Sequence, residues 1–160
     1  MDVKVDAVPR RPDARVIFER ILVPTDGSSA ARAAESIAIG LALAFHGRVR
    51  FVVVIDTARI VSELTMGTDR DVTAELTRLK PVAQQVLDDV TRLAAEAGVP
   101  AEADLLDGDV VDRVLEDAAA WHADAIVIGT HARSHSFFPT LGSKTHELLR
   151  RSTLPVLVCR

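Results

Sequence analysis

Short apolar runs, each followed by a longer segment with helical spacing, dominate the chain. Runs of this length and composition are typical of strands buried on both faces. Strands separated by helices favour parallel pairing, because a parallel connection needs a crossover of helical length. We therefore predict an α/β fold, a parallel sheet with helices on both faces. Four of the predicted strands are apolar runs, namely Arg20–Pro24, Val49–Ile55, Ala125–Ile128 and Leu154–Cys159. The remaining predicted strand, Ala101–Leu106, has alternating character.

Helical segments fill most of the intervals between these runs. Apolar residues recur at helical spacing from about Ala30 to Phe45, and again from Leu76 to Gly98. Pro81 lies inside the second pattern, so that helix either starts near it or bends there. Two more helices are predicted, one after the Asp107–Asp109 turn and one ending near Arg151. We expect residues 56–72 to be irregular.

Composition limits the class of protein. The chain has 160 residues, 48% hydrophobic and 26% charged, which is typical of one globular domain. We place that domain at residues 18–160 and expect a flexible N-terminal arm over residues 1–17, which contain two prolines and no periodicity. The net charge of −4 argues against broad binding to nucleic acid or an anionic membrane surface. No secretory signal or membrane span is recognised, and we expect a cytoplasmic protein.

Metal and disulfide chemistry find little support. Cys159 is the one cysteine, so no intramolecular disulfide is possible, and we interpret it as a small strand residue. His131 and His135 are four residues apart but lack the glutamate of a zinc-binding HExxH motif. We therefore predict no metal bound by protein ligands alone.

Polar and glycine residues follow three of the predicted strands. Ligands of parallel α/β sheets bind beyond the carboxyl ends of the strands, where Pro24–Ser28, Val54–Asp56 and Gly129–Ala132 lie. Asp26 has two possible roles, a ligand contact or a cap for the next helix. The sequence contains no Walker A motif, and no GxGxxG follows the first strand.

The stretch from Gly129 to Lys144 is the best candidate for binding an anion. Gly142 and Ser143 open a helix, and the free backbone N–H groups of a helix N-terminus suit a phosphate. Arg133 and Lys144 supply positive charge. The alternative is a plain loop followed by an ordinary helix start, which the local sequence fits equally well.

Taken together, these segments resemble the universal stress protein family. The resemblance extends over about Phe18–Arg160 and implies a Rossmann-like fold, of the adenine nucleotide alpha hydrolase type, with strand order 3-2-1-4-5. The matching motifs are Ile21–Ser28, Val54–Asp56, Ile126–His131, Leu141–Ser143 and Pro155–Val158.

The nucleotide-binding branch of that family carries a pattern of Gly, two residues, Gly, nine residues, Gly, and Ser or Thr. Gly129, Gly142 and Ser143 match it with the spacing intact, but Ala132 replaces the second glycine. If that position requires a positive φ, alanine costs about 1 kcal/mol. The departure affects the expected affinity more than the architecture of the site.

The resemblance also implies a role for individual residues. Pro24, Thr25 and Asp26 would line the adenine and ribose, and Val54 would meet the adenine. The outer phosphates would be held by Gly142, Ser143 and Lys144, with Thr145 beside them. The ribose and α-phosphate would be wrapped by Gly129, Thr130, His131, Ala132 and Arg133. The implied ligand is ATP, or else ADP or AMP, with Mg²⁺ accompanying the phosphates of ATP.

Three functions remain open at this point. The first is a nucleotide-dependent sensor or regulator of the stress response, and the second is an interaction module of the same fold that binds no nucleotide. The third is a slow ATPase, for which Asp26, Asp56 and His131 are the strand-end candidates. The family implies a homodimer through the last strand, Pro155–Val158, and we expect a regulatory protein partner. We have no role for Phe137 and Phe138.

Overall fold

Strands and helices alternate along the chain in the computed structural model, which describes residues 18–65, 72–130 and 142–160. The predicted arm over residues 1–17 lies outside this range. None of the described helices is long and apolar enough to cross a membrane. The strands are β1 (Arg20–Pro24), β2 (Arg48–Ile55), β3 (Ala101–Asp107), β4 (Ala125–Gly129) and β5 (Val156–Cys159). The helices are α1 (Ser29–Phe45), α2 (Thr57–Thr65), α3 (Val72–Glu96), α4 (Val110–Ala120) and α5 (Ser143–Arg151).

The five strands form one parallel sheet in the order β3-β2-β1-β4-β5. This confirms the predicted fold class and strand order. Because all strands are parallel, their carboxyl ends lie along one edge of the sheet. The order reverses between β1 and β4, since the chain adds β2 and β3 on one side and then β4 and β5 on the other.

Each face of the sheet is covered by a different pair of helices. Ile21 and Val23 of β1 pack with buried residues of α1 and α3, whereas Leu22 packs with α4 and α5. All three side chains are fully buried, and burial of an aliphatic side chain stabilises a fold by about 1.5–3 kcal/mol. Because successive side chains of β1 point to opposite faces of the sheet, this one strand anchors the helices on both faces.

The segment after β2 differs from the prediction. The expectation of irregular structure is wrong for residues 57–65, because α2 occupies Thr57–Thr65, and at Val72, where α3 begins. Residues 66–71 of that range lie outside the described residues. Asp56 Oδ1 accepts a hydrogen bond from the Arg59 backbone N–H at 2.9 Å, as an N-cap residue does. The start of α2 is also held by Asp107, which accepts from Thr57 N. Asp56 is a local signal that the sequence analysis did not use, whereas Asp107 is 50 residues away from Thr57 and leaves no local signal.

Two further boundaries differ in detail. Helix α3 begins well before Pro81, so the alternative in which the helix starts near this proline is wrong. Strand β5 begins at Val156 instead of Leu154. The backbone N–H of Leu154 is bonded to the Ser152 hydroxyl, and Pro155 has no N–H to give to a ladder. Pro155 O still accepts from Ile126 N at 2.9 Å.

An ion-pair network fixes α4 against the sheet. The Arg50 guanidinium lies 2.7 Å from Asp117 of α4 and also contacts Glu102 and Asp104 of β3. The hydrogen bond with Asp117 raises the pKa of Arg50, so the charge is retained at any physiological pH. This network sets the position of α4, whose N-terminus lies at the edge where the strands end.

The carboxyl end of β4 approaches the first turn of α1 very closely. A Cβ placed on Gly129 would lie 2.2 Å from the backbone oxygen of Ala30. Backbone atoms cannot move aside as a side-chain tip can, so glycine is needed here for packing. This reason is independent of any ligand.

We predict that Gly129→Ala destabilises the fold by about 1–3 kcal/mol, because the added methyl forces β4 and α1 apart. Gly40→Ala is the matched control, because Gly40 is exposed on α1 and a Cβ added there would have nothing within 4 Å. This substitution should stabilise the fold by about 0.5–1 kcal/mol, since alanine favours the helix over glycine. Urea unfolding of both variants measures the difference. A Gly129→Ala variant as stable as the wild type would contradict the close approach.

Candidate functional site

A cavity of about 310 Å³ opens at the carboxyl ends of β1, β2 and β4, where the strand order reverses. Small-molecule sites of proteins begin at about this size, from roughly 300 Å³. The cavity is lined by Pro24, Thr25, Asp26, Ser28, Ala31, Val52, Val54, Val110, Ile128, Gly129, Gly142, Ser143, Lys144 and Thr145.

The structure brings most of the predicted site residues to this one cavity. Among the described residues, Thr130 is the only one of that set that does not line it. His131, Ala132 and Arg133 lie outside the described residues, as do Phe137 and Phe138. The sequence analysis gave Ser28 no ligand contact of its own, although it placed the Pro24–Ser28 turn at the strand ends where ligands bind, and it missed Ala31, Val52, Val110 and Ile128. A side chain on a strand or helix carries no sign of which cavity it faces, so these last four had no signal.

Thr130 lies beside the cavity and supports its walls through hydrogen bonds. Its side chain is buried, and its Oγ1 accepts a hydrogen bond from the Gly142 backbone N–H at 3.2 Å. Its own N–H donates to Cys159 O of β5 at 2.9 Å. Thr130 therefore ties the end of β4 to both β5 and the start of α5, which places the N-terminus of α5 at the cavity.

Hydrogen bonds from side chains to the backbone hold the turn between β1 and α1. Ser28 is the N-cap of α1 and its hydroxyl accepts from Ala31 N, so the interpretation of Asp26 as the cap is wrong. Asp26 Oδ1 accepts from Ser28 N at 2.9 Å and shapes the turn. Gly27 has a φ of +73°, a left-handed conformation that glycine adopts without strain.

The buried carboxyl group of Glu35 supports the turn between β1 and α1. The Thr25 hydroxyl donates to Glu35 Oε1 of α1 and accepts from Gly27 N at 3.2 Å. Thr25 and Glu35 are both buried. The sequence analysis did not single out Glu35, yet a signal existed, since Glu35 falls on the buried face of α1 between Ala31 and Ala38. A polar residue on an apolar helix face needs a hydrogen-bond partner.

The opposite wall of the cavity is the N-terminus of α5. Gly142 is its N-cap and has no side chain to bond the first-turn N–H groups. These groups and the positive end of the helix dipole favour an anion. Gly142 has a φ of −56°, and among the described residues a Cβ there would meet only hydroxyl oxygens at 3.8 Å. The described part of the fold thus does not require a glycine at this position.

Lys144 reaches the cavity, but its ammonium is already paired. Its Nζ lies 2.7 Å from Oδ2 of Asp109, the N-cap residue of α4. The hydrogen bond from Lys144 and the bonds from backbone N–H groups hold the pKa of the Asp109 carboxyl below its ordinary value. We expected Lys144 to meet outer phosphates directly, and this partner was not anticipated.

The remaining walls are apolar. Val52 and Val54 of β2, Val110 of α4 and Ile128 of β4 present aliphatic surface to the cavity. Flat aromatic rings pack well against such surface, and the polar groups of the β1–α1 turn and of α5 lie around it. The described residues contain no group of three His, Cys, Asp or Glu side chains that could hold a metal ion.

Comparison with known families gives one clear match. The model described as the universal stress protein family matches residues 17–160. A curated relative, universal stress protein MJ0531 of Methanocaldococcus jannaschii, is 31% identical over 144 residues, which cover 90% of this chain and 83% of the relative.

Solved structures give the same picture. A member of the universal stress protein family from Burkholderia pseudomallei superposes with a TM-score of 0.72 at 28% identity, covering 89% of this chain and 96% of that one. A universal stress protein from Archaeoglobus fulgidus, in complex with dAMP, superposes with a TM-score of 0.63 at 22% identity, covering 90% and 99%.

Proposed function

The chain belongs to the universal stress protein family, and on that basis we propose that it binds an adenine nucleotide in the cavity at the carboxyl ends of β1, β2 and β4. The observation that carries the proposal is the cavity itself, which joins apolar walls to the N-terminus of α5 at the reversal of strand order. The dAMP complex of the Archaeoglobus fulgidus relative supports the ligand class.

Each wall of the cavity suits one part of a nucleotide. The base packs against the aliphatic side chains of Val52, Val54 and Ile128. The ribose lies near Asp26, whose carboxylate can accept hydrogen bonds from hydroxyl groups. The phosphate meets the first turn of α5, where Ser143 adds a hydroxyl donor to the backbone N–H groups.

The ligand is ATP, ADP or AMP in this proposal. Since the described residues provide no cluster of metal ligands, a Mg²⁺ ion would arrive with the phosphates of ATP. Ala132, at the second glycine position of the family pattern, lies outside the described residues. Measured affinity is therefore the test of whether a methyl group is tolerated there.

We propose that this binding has a regulatory role. In this account the chain is a cytoplasmic stress-response protein whose regulatory activity depends on the bound nucleotide. The two strand-end carboxylates that an ATPase would use are engaged with backbone N–H groups, Asp26 with Ser28 and Asp56 with Arg59. Asp56 is not among the residues that line the cavity. Asp56 is therefore not placed to act on a ligand in this cavity, and His131, the third candidate base, lies outside the described residues. We propose binding without efficient hydrolysis, which needs a positioned base.

Protein purified without added nucleotide and then denatured should release an adenine nucleotide, identified by mass spectrometry. Nucleotide-free protein should melt higher with added AMP or Mg-ATP, because a ligand at about 100 times its Kd stabilises by about 2.7 kcal/mol. Gly142→Val should lose most of this shift, since the branched side chain covers the first turn of α5.

Valine is compatible with the φ of Gly142, so the variant should melt near the wild type when no nucleotide is present. Gly40→Val, on the exposed side of α1, is the matched control and should keep the full shift. If no nucleotide is released, and millimolar AMP, ADP and Mg-ATP all leave the melting temperature unchanged, the proposal is wrong. The interaction module without nucleotide would then be the better account.

We further propose a homodimer in which β5 pairs with the β5 of a second copy. Strand β5 is an edge of the sheet and Leu157, 41% exposed, is apolar. The opposite edge, β3, carries the exposed acids Glu102 and Asp104, which disfavour pairing there. Unpaired N–H and C=O groups on an apolar edge strand favour association.

Leu157→Lys should convert the dimer to a monomer, because each copy would bring a charge to the apolar edge at which the two strands pair. Val82→Lys, at a 55% exposed position of α3 on a different element, is the matched control and should remain dimeric. Light scattering after size exclusion distinguishes the 17.3 kDa chain from its dimer. A wild-type protein that is monomeric at every concentration would contradict the proposal.

A further inference from the structure

The ion pair between Lys144 and Asp109 bears on which nucleotide the cavity prefers. Asp109 uses its two oxygens differently: Oδ1 accepts from Val111 N and Asp112 N at 2.9 and 3.2 Å, and Oδ2 lies 2.7 Å from Lys144 Nζ. The first oxygen caps α4. The second holds the ammonium of a residue that lines the cavity.

This pairing removes positive charge from the described part of the cavity. Asp26 and Lys144 are the charged residues among its described lining, and Lys144 is compensated by Asp109. The first turn of α5 can hold one phosphate group through backbone N–H groups without a side-chain cation. Every further phosphate adds negative charge near the Asp109 carboxylate, which repels it.

We propose that Asp109 is a specificity-determining residue, which lowers the preference of the cavity for a nucleoside triphosphate over a nucleoside monophosphate by neutralising Lys144. The inference rests on the proposed function, since it concerns which adenine nucleotide the same cavity takes. It assigns a role in nucleotide preference to Asp109, the N-cap residue of α4, which does not itself line the cavity.

Asp109→Asn separates the two tasks of this side chain. Asparagine caps a helix about as well as aspartate, so α4 should keep its N-cap. The amide carries no charge, so Lys144 is released toward the cavity. The variant should therefore fold normally and differ in how it binds charged ligands.

The test measures the Kd of AMP and of ATP by isothermal titration calorimetry at low salt, without Mg²⁺, for the full chain. In Asp109→Asn the affinity for ATP should rise about tenfold and that for AMP about twofold, since the released charge acts on more phosphates. The gain for ATP should shrink in high salt.

Asp112→Asn is the matched control. Asp112 lies on the same helix and pairs with Arg151 of α5 at 2.6 Å, so the charge change is identical, but Arg151 does not line the cavity and keeps its ion pair with Glu147. The ratio of AMP to ATP affinity of Asp112→Asn should stay within about twofold of the wild type, because the charge change lies away from the cavity. In a Lys144→Gln background, Asp109→Asn should no longer favour ATP.

Three results would overturn the inference while leaving nucleotide binding intact. The first is an unchanged ratio of affinities in Asp109→Asn, and the second is weaker ATP binding in that variant, which would mean that the pair positions Lys144 for phosphate. An equal gain for ATP in Asp112→Asn would also overturn it, by assigning the effect to net charge. If neither the wild type nor any variant binds AMP or ATP, both the proposed function and this inference are wrong.

Discussion

The reversal of strand order between β1 and β4 is the constraint on which the cavity depends. The chain covers one face of the sheet with α1 and α3 and the other with α4 and α5. Helices that leave neighbouring strands toward opposite faces cannot fill the space above the strand ends. The buried sheet therefore creates the cavity, and Gly129, Thr130 and the β1–α1 turn determine its shape.

Among the described residues, backbone groups and the compensated pair of Lys144 and Asp109 supply most of the electrostatics of this cavity. Gly142 leaves the first turn of α5 without a side-chain cap, and Lys144 is compensated by Asp109. Thr25 is held by the buried Glu35. These features support the proposed ligand, an adenine nucleotide, which combines a flat ring with an anionic end.

The sequence predicted what depends on local pattern and missed what depends on distant partners. The apolar runs gave the strands, and the motifs that resemble the family gave their order and most of the cavity lining. The start of α2 is held in part by Asp107 of β3, a contact without a local signal, although the sequence analysis also left the local N-cap Asp56 unused. The pairing of Lys144 was missed because it has no local signal either, since Asp109 precedes it by 35 residues. Contacts between residues so far apart in the chain leave no periodicity to read.

The central claim is that the cavity at the strand ends is where ligand binds, and a titration of ¹⁵N-labelled protein with AMP tests it most directly. We predict that the largest amide shift changes fall on Gly129, Gly142 and Ser143, which line this cavity. A second cavity, lined by residues of α1 and α3 that include Arg32 and Arg92, is the internal comparison. Shift changes centred there, or none at millimolar AMP, would contradict the account.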